Sequence, residues 1–287
     1  MERVRDYYLL TKPGIVQGNM LSLLAGYVLA ASLYGFNAWI LLAVYVGTAL
    51  VIGSAGVFNN VLDRKIDRRM QRTQDRALVR GTISTKAALL FAIVLAMVGF
   101  IVLWVGVNPL VTLLGVVAII WYVLIYGYAK RTTPWSTLIG TVCGAIPPVA
   151  GYVAISGTID MAAIILFAIL AVWQMPHFYA LAIRRRDEYA LAQWPVLPVV
   201  RGVLATKYRM IAYMVLFCFT TPLLTIAGYA GLVYLVASSA VAVYWLTMAV
   251  RTWSEPNDHK WAGRVFGVSL LVLPMQSVLI ALGHLLP

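Results

Sequence analysis

The sequence contains few charged residues and very little cysteine, and each shortage excludes a class of protein. Asp, Glu, Lys and Arg make up only 11% of the 287 residues, whereas a soluble domain carries roughly 25%. Most of the surface must therefore face a medium other than water. The two cysteines, Cys143 and Cys218, lie inside apolar segments, which excludes a disulfide framework or a zinc site built on cysteine. We expect both to be small core residues.

The sequence is rich in long apolar segments. Hydrophobic residues account for 62% of the sequence, and the mean hydropathy is +0.87. A helix needs about 20 apolar residues to cross the hydrocarbon core of a bilayer, and over such lengths only a helix satisfies its own backbone hydrogen bonds. The sequence predicts an all-α, polytopic membrane protein with about nine transmembrane helices. The predicted spans are residues 14–34, 39–62, 87–106, 109–128, 136–156, 160–183, 209–228, 231–250 and 265–285.

Positive charge is absent from every second connection between the predicted spans. The connections at 34–38, 105–109, 156–160 and 228–232 hold none of the 22 Lys and Arg residues. By the positive-inside rule the basic side is cytoplasmic, so nine spans put the N-terminus in the cytoplasm and the C-terminus in the periplasm. The net charge of +12 indicates membrane orientation rather than nucleic-acid binding, because the basic residues form short clusters between spans. All acidic residues except Asp160 share the basic side, which the orientation rule does not require.

Three oxygen-bearing side chains recur at the end of the second predicted span. Asn59, Asp63 and Asp67 are four residues apart, which places them along one face of a helix. Two carboxylates and an amide oxygen suit Mg²⁺, which completes its ligand set with water and substrate phosphate. The basic residues that follow, which can bind phosphate oxygens, are Arg68, Arg69, Arg72, Arg76 and Lys86. The alternative is an ordinary interfacial helix end with ion pairs between neighbouring turns.

Two further clusters lie at the ends of later spans. Tyr126 and Lys130 are four residues apart, so the phenol and the ammonium point the same way; taken alone, an aromatic belt with a snorkelling lysine explains them better. His177 lies in the apolar sixth span near Trp173 and Gln174. An ionisable residue at membrane depth is often functional. Proton transfer, iron ligation, cation stabilisation and a structural role all stay open for His177.

The charged loops after the second and the sixth span lie four spans apart. This spacing suggests two similar four-helix halves, about residues 14–128 and 136–250, that close around a central cavity. A ninth helix at 265–285 would complete a single transmembrane domain that covers residues 1–287.

Several motifs together resemble the intramembrane prenyltransferases of the UbiA type. The signature is the Asn59, Asp63, Asp67 stripe followed by Arg72 and Arg76, with the pair Tyr126 and Lys130. Within that superfamily, the chain is similar to the branch that farnesylates heme, and the similarity covers nearly the whole sequence. The segments that carry this second resemblance are Thr11–Gly14, Gly144–Pro148, Trp173–His177 and Pro195–Val200.

The resemblance implies a reaction and a set of roles. A farnesyl group would pass from farnesyl diphosphate to the vinyl group of heme b with addition of water, for the supply of terminal oxidases. It implies catalytic roles for Asp63, Asp67, Tyr126, Lys130 and His177. Magnesium would be the cofactor and heme b a substrate. The implied metal ligands are Asn59, Asp63, Asp67, Glu188 and Asp187; the implied diphosphate-binding residues are Arg72, Arg76, Lys130 and Lys12; the implied heme side is His177, Gln174 and Trp173.

The second acidic motif departs from the pattern of the branch. An Asp usually precedes the Tyr of this motif, but here Glu188 stands before Tyr189, with Asp187 beside it. Either carboxylate is therefore a candidate. The expected location is a bacterial inner membrane with the active-site rim on the cytoplasmic side, and the product would be handed to a terminal oxidase or a heme A synthase.

Other functions fit parts of the pattern. A prenyltransferase that acts on a quinone precursor would use the same diphosphate machinery, so only the segment around His177 separates the two. A transporter would place coupling charges near the bilayer centre, whereas these acids cluster at one side. A heme-binding assembly factor gives no reason for the acidic stripe.

Overall fold

The computed structural model describes residues 2–287, and in this range the chain is helical with no β-strand. The helices are α1 (Glu2–Leu10), α2 (Pro13–Tyr34), α3 (Ala38–Asp67), α4 (Ala77–Arg80), α5 (Thr85–Gly106), α6 (Pro109–Ile120), α7 (Gly127–Thr132), α8 (Ser136–Ser156), α9 (Met161–Arg184), α10 (Arg186–Leu191), α11 (Leu197–Val200), α12 (Val203–Thr220), α13 (Leu223–Ile226), α14 (Leu232–Arg251) and α15 (Asp258–Leu282). A π-helical turn, Trp121–Tyr126, joins α6 to α7.

Nine helical segments of the described chain are long and apolar enough to cross a membrane, as predicted. Seven are the single helices α2, α3, α5, α8, α9, α14 and α15. The other two are composite: Pro109–Thr132 includes the π-helical turn, and Val203–Ile226 joins α12 to α13. Both cysteines are free, as expected, but they are half-buried and do not lie in the core.

The predicted spans were too short at four charged ends. The second continues to Asp67 and the fourth to Thr132, whereas the seventh begins at Val203 and the ninth at Asp258. In each case the helix runs past the last apolar residue because its charged side chains find partners. Lys207 of α12, for example, donates to Asp258 of α15 at 3.1 Å.

Three of the four short connections without Lys or Arg contain a residue that caps the next helix. The side chain of Asn37 accepts from the backbone N–H groups of Trp39 and Ile40. Asn108 and Asp160 cap α6 and α9 in the same way, through Val111 N and Ala163 N. These polar residues satisfy backbone donors that have no partner within the helix, so α3, α6 and α9 begin directly after short connections at the end of the bundle that lacks Lys and Arg.

Large apolar side chains on the outside identify the surface that faces lipid. On α5, Leu90, Met97, Ile101 and Trp104 are all more than half exposed. They recur every three to seven residues, so they form one stripe along the helix. Such a surface is stable in hydrocarbon and not in water, which agrees with a multi-pass membrane protein.

The interior is built on a close contact between α2 and α8. A Cβ atom at Gly26 would overlap the carbonyl oxygen of Pro148, and one at Gly151 would overlap that of Leu23. Two small residues, one on each helix, thus let the backbones touch, as small residues do in membrane helix pairs. Helices α9 and α15 pack against the same pair.

The amino-terminal helix α1 closes the charged end of the bundle over α3. Asn60 of α3 donates to the carbonyl of Leu10 at 2.9 Å. Asp6 accepts from Arg80 at 3.1 Å and from Thr82 at 2.7 Å. These contacts place the turn between α1 and α2, with Lys12, directly above the predicted acidic stripe.

Candidate active site

The acidic stripe lies on one buried face at the charged end of α3. Asn59, Asp63 and Asp67 are only 3%, 3% and 2% exposed. Successive members are one helical turn apart, as their spacing predicts. Two carboxylates are therefore withdrawn from water at the charged end of the bundle.

Basic side chains from three other parts of the chain neutralise the stripe. Lys130 Nζ donates to Asp63 Oδ2 at 2.5 Å, and Arg131 donates to Asp63 Oδ1 at 2.8 Å. Arg76 donates to Asp67 Oδ2 at 2.7 Å, and Lys12 donates to Asn59 Oδ1. The alternative of a surface helix end with ion pairs between its own turns is wrong, because none of these partners lies on α3.

Lys12 occupies an unusual position for a lysine. Its backbone is left-handed, with φ of 55°, which is uncommon for a residue other than glycine. Burial of its ammonium group lowers the pKa of Lys12 to about 7, and the positive charges of Arg76 and Lys130 act in the same direction. A phosphate oxyanion beside Lys12 would favour its charged form.

Two residues that the sequence did not single out belong to this network. Arg131 forms the second ion pair of Asp63. Asn60 accepts from Arg76 at 3.1 Å, so the same guanidinium joins Asn60 to Asp67. The doubled asparagine at 59–60 was the available signal for Asn60, since two amides at membrane depth need partners.

Lys130 follows the π-helical turn and faces inward. Tyr122 and Tyr126, four residues apart on the π-helical turn, stack with ring centroids 5.5 Å apart. Lys130 Nζ lies 5.6 Å from the centre of the Tyr126 ring, and Lys130 is only 4% exposed. The snorkelling interpretation of this lysine is therefore wrong, because its ammonium faces Asp63 and not the membrane surface.

The second acidic motif faces the same end of the bundle. Glu188 Oε2 is buried with no hydrogen-bond partner in the described chain, whereas Asp187 is exposed. Burial raises the pKa of Tyr189, and the positive charges of Arg185 and Arg72 oppose that shift. Arg72, from the loop after α3, therefore lies close to the α10 motif. The geometry favours Glu188 over Asp187 as the inward carboxylate.

Trp194 links the second motif to the first. Its ring stacks on Tyr189 at 5.4 Å and also lies 5.7 Å from Lys130 Nζ. Cation–π contact of this kind helps to hold a buried lysine in place. Nothing in the sequence marked Trp194, because it follows α10 in an irregular segment.

His177 lies on the face of α9 that meets α15. Its Nδ1 is 2.7 Å from the hydroxyl of Ser269, and its ring is stacked between Trp173 and Phe266, with both centroid distances 4.8 Å. Gln174 does not join this group. It donates to the carbonyls of Thr141 and Leu170, so of the predicted heme-side residues only Trp173 contacts His177.

The chain belongs to the UbiA prenyltransferase family, whose model matches residues 19–271. It is therefore a prenyltransferase of the membrane, and the expectation drawn from the motifs is confirmed.

Its relatives specify the branch. The chain is 44% identical over 284 residues to the protoheme IX farnesyltransferase of Citrobacter koseri, covering 99% of this chain and 96% of that protein. It is also 44% identical over 287 residues to the protoheme IX farnesyltransferase of Klebsiella pneumoniae, with the same coverage.

Solved structures share the fold at low sequence identity. A digeranylgeranylglyceryl phosphate synthase has a TM-score of 0.82 at 19% identity, with 99% of each chain covered. A UbiA homologue from Archaeoglobus fulgidus bound to GPP and Mg²⁺ has a TM-score of 0.65 at 16% identity, covering 96% of this chain and 99% of that one.

Proposed function

We propose that this chain transfers a farnesyl group from farnesyl diphosphate to the vinyl group of heme b with addition of water, which gives heme O and diphosphate. The observation that carries the proposal is the buried stripe of Asn59, Asp63 and Asp67, ringed by basic side chains at the end of an apolar bundle. The similarity to protoheme IX farnesyltransferases supports the choice of farnesyl donor and heme acceptor.

The donor set of the stripe fits magnesium. Carboxylate and amide oxygens are hard ligands, and Mg²⁺ commonly uses one or two carboxylates together with substrate phosphate. Asn59, Asp63 and Asp67 would hold the ion. In residues 2–287 Glu188 forms no three-carboxylate group with Asp63 and Asp67, so its buried Oε2 is not assigned as a ligand. When bound, the metal supplies positive charge that stabilises the departing diphosphate.

The basic side chains would receive the diphosphate. The structure pairs the carboxylates with lysine and arginine, and a magnesium diphosphate carries both signs of charge. In its presence Asp63 and Asp67 would face the metal, and Lys12, Arg76 and Lys130 would face the phosphate oxygens. Arg72, beside the α10 motif, would serve the outer phosphate.

The residues around the diphosphate favour breaking of its bond to the farnesyl group. The C1–O bond of the farnesyl group breaks and its electron pair leaves with the diphosphate, which the basic residues stabilise. The ring of Tyr126, which stacks on Tyr122 and lies beside Lys130, would offer aromatic surface to the allylic cation. The vinyl group of heme attacks C1, water adds to the resulting cation beside the porphyrin, and one proton is released. The apolar interior keeps water from the first cation.

Mass spectrometry of heme tests the proposal directly. Membranes that contain the chain should yield heme with the added mass of a farnesyl group and a water molecule, and membranes without it should not. Thorough chelation of divalent metal should abolish the product, and added Mg²⁺ should restore it. Unmodified heme together with a prenylated quinone precursor would reject heme as the acceptor, and product formation after chelation would reject the metal.

The position of the charges supports a bacterial inner membrane with the charged end in the cytoplasm. Water-soluble diphosphate would then leave directly to the cytoplasm, while the apolar heme product stays in the bilayer. We propose that a terminal oxidase or a heme A synthase takes the product from there.

A further inference from the structure

Arg209 of α12 has no acidic partner within residues 2–287. It takes part in none of the ion pairs of that range, and its Nη1 is buried without a hydrogen-bond partner. Lys207, two residues earlier, is by contrast paired with Asp258. Residues two apart on a helix point in directions about 200° apart, so Asp258 lies on the wrong side for Arg209. An unpaired cation at membrane depth is costly, so the guanidinium needs a counter-ion from outside the described chain.

Tyr179 of α9 has a second polar group without a partner, close to Arg209. Tyr179 is 1% exposed, and its hydroxyl is buried with no hydrogen-bond partner in the part of the chain that the structure describes. Arg209 is near enough to the phenol groups of Tyr179 and Tyr213 for its charge to act on both, and the two phenol rings lie 6.4 Å apart. A buried hydroxyl without a partner costs free energy. Arg209 and Tyr179 thus bring two hydrogen-bond donors together.

These two side chains lie near the charged end of the bundle. Arg209 is six residues from the start of α12 and Tyr179 is five from the end of α9, which is roughly 7–9 Å along each helix. The ring of Trp135, directly before α8, lies 4.5 Å from the Arg209 guanidinium, and Trp135 is 45% exposed. Exposed tryptophan is typical of the depth at which lipid head groups meet the hydrocarbon. The cluster of Trp135, Tyr179 and Arg209 therefore reaches the surface that faces lipid.

The cluster is separate from the residues used in the proposed reaction. His177, two residues before Tyr179, meets α15 through Ser269, whereas Tyr179 lies against Tyr213 of α12. The two side chains therefore leave α9 on different faces. Neither Arg209 nor Tyr179 contacts the acidic stripe or its basic partners within residues 2–287.

We propose that Arg209 and Tyr179 bind the phosphate of an anionic phospholipid, so that a membrane lipid supplies the missing counter-ion. The guanidinium and the phenol hydroxyl donate, and phosphate oxygens accept. Nη2 and Nε of Arg209 are not among the fully buried polar atoms, so a head group can reach one edge of the guanidinium. Basic pockets between membrane helices bind anionic head groups in this way. Leu216, two turns further along the same face of α12, is exposed and would contact an acyl chain.

Thermal unfolding of the purified full-length chain in detergent tests the lipid site. Phosphatidylglycerol should raise the midpoint of the wild type, because a ligand of the folded state stabilises it. Diacylglycerol, which has the acyl chains but no phosphate, should not. Arg209→Gln should need about tenfold more phosphatidylglycerol for the same rise. Arg251→Gln is the matched control, since it removes an exposed arginine from the same end of the bundle and should respond like the wild type. Equal responses of Arg209→Gln and the wild type would overturn the proposal.

Tyr179→Phe should change the midpoint in opposite directions with and without lipid. In detergent alone the variant should unfold at a higher temperature than the wild type, because it removes a buried hydroxyl that has no partner. With phosphatidylglycerol that advantage should disappear, since phenylalanine cannot donate to phosphate, and the lipid affinity should fall about fivefold. A hydroxyl with a purely structural role would give a lower midpoint in both conditions, and that result would reject Tyr179 as a lipid contact.

Two other anions identify the source of the oxygen ligand. Inorganic phosphate that protects as strongly as phosphatidylglycerol would show a site for a free anion and reject the lipid. Heme b carries carboxylates, so its effect on bound phosphatidylglycerol should be measured by mass spectrometry of the intact complex. Displacement of the lipid from the wild type would assign Arg209 to the acceptor instead, and retention of the lipid would support the proposal. None of these results depends on turnover, so the proposed reaction and the lipid site are tested separately.

Discussion

At the scale of single residues, the site is defined by how its buried charges are neutralised. Asp63 meets two cations and Asp67 meets one, and both carboxylates are almost fully buried. Buried ion pairs contribute little net stability, because the cost of removing charges from water offsets their attraction. Their presence is better explained by exchange of partners with a charged ligand than by a need for stability.

Asp63→Asn should reduce turnover about 100-fold or more, a size typical for the loss of one preorganised electrostatic contact. The neutral amide can still accept from Lys130, so the protein should fold. Turnover in membranes with matched amounts of protein measures the effect.

Asp160→Asn is the matched control for this change. Asp160 lies at the other end of the bundle, where it caps α9, and asparagine caps helices equally well. Near-native turnover in Asp63→Asn, or an equal loss in Asp160→Asn, would contradict the role given to Asp63.

The ring of Trp194 should matter for substrate binding. Trp194→Leu removes a cation–π contact to Lys130 that is worth about 1 kcal/mol, so KM for farnesyl diphosphate should rise about fivefold. Trp194→Phe keeps an aromatic face and should stay close to the wild type. Steady-state kinetics at saturating heme separates the two variants, and equal KM values for both would show that the ring has no part in binding.

At the scale of elements, the sequence could predict only what repeats within one helix. Helical periodicity predicts that Asn59, Asp63 and Asp67 share one face of a helix, and they do so in the structure. Arg131 and Ser269 were not predictable, because they are 68 and 92 residues away from their partners Asp63 and His177. Contacts of that kind depend on how helices pack, which the pattern along one helix does not contain.

The contact between α2 and α8 should depend on a glycine of α2. Gly26→Ala places a methyl group against the carbonyl of Pro148, and overpacking of this kind costs about 1–3 kcal/mol. Gly18→Ala is the matched control on the same helix, since a Cβ there meets nothing within 4 Å. Thermal unfolding in detergent should show a lower midpoint for Gly26→Ala alone, and equal midpoints for the two variants would contradict the close contact.

At the scale of the whole molecule, the number of spans could be predicted but their charged ends could not. The length of an apolar segment determines whether it can cross the bilayer, so all nine spans could be predicted from the sequence. The second, fourth, seventh and ninth spans extend further because Asp67, Lys130 and Lys207 are paired with distant side chains. The two-half organisation stays a prediction.

The orientation of the bundle can be measured with reporter fusions. Alkaline phosphatase fused after Pro287 should be active, because an odd number of spans would place that end in the periplasm, and the same enzyme fused after Arg251 should be inactive. Green fluorescent protein at these two positions should give the reverse pattern. Activity at Arg251 would invert the proposed orientation and place the acidic stripe on the wrong side for a cytoplasmic diphosphate.

The π-helical turn has a consequence for how this chain tolerates change in length. Each α-helical residue advances the chain by about 100° and 1.5 Å, and a π-helical turn holds one residue more than an α-helical turn. Loss of one residue from Trp121–Tyr126 would restore a regular helix of nearly the same hydropathy. Because the π-helical turn accommodates that extra residue, its loss would leave α7 with its present rotation, and Lys130 would still face Asp63. A deletion within the α-helical part of the span, Pro109–Ile120, would instead rotate α7 by about 100° and turn Lys130 away from Asp63. The span is thus fixed in phase, and the π-helical turn is where it can absorb the loss of a residue.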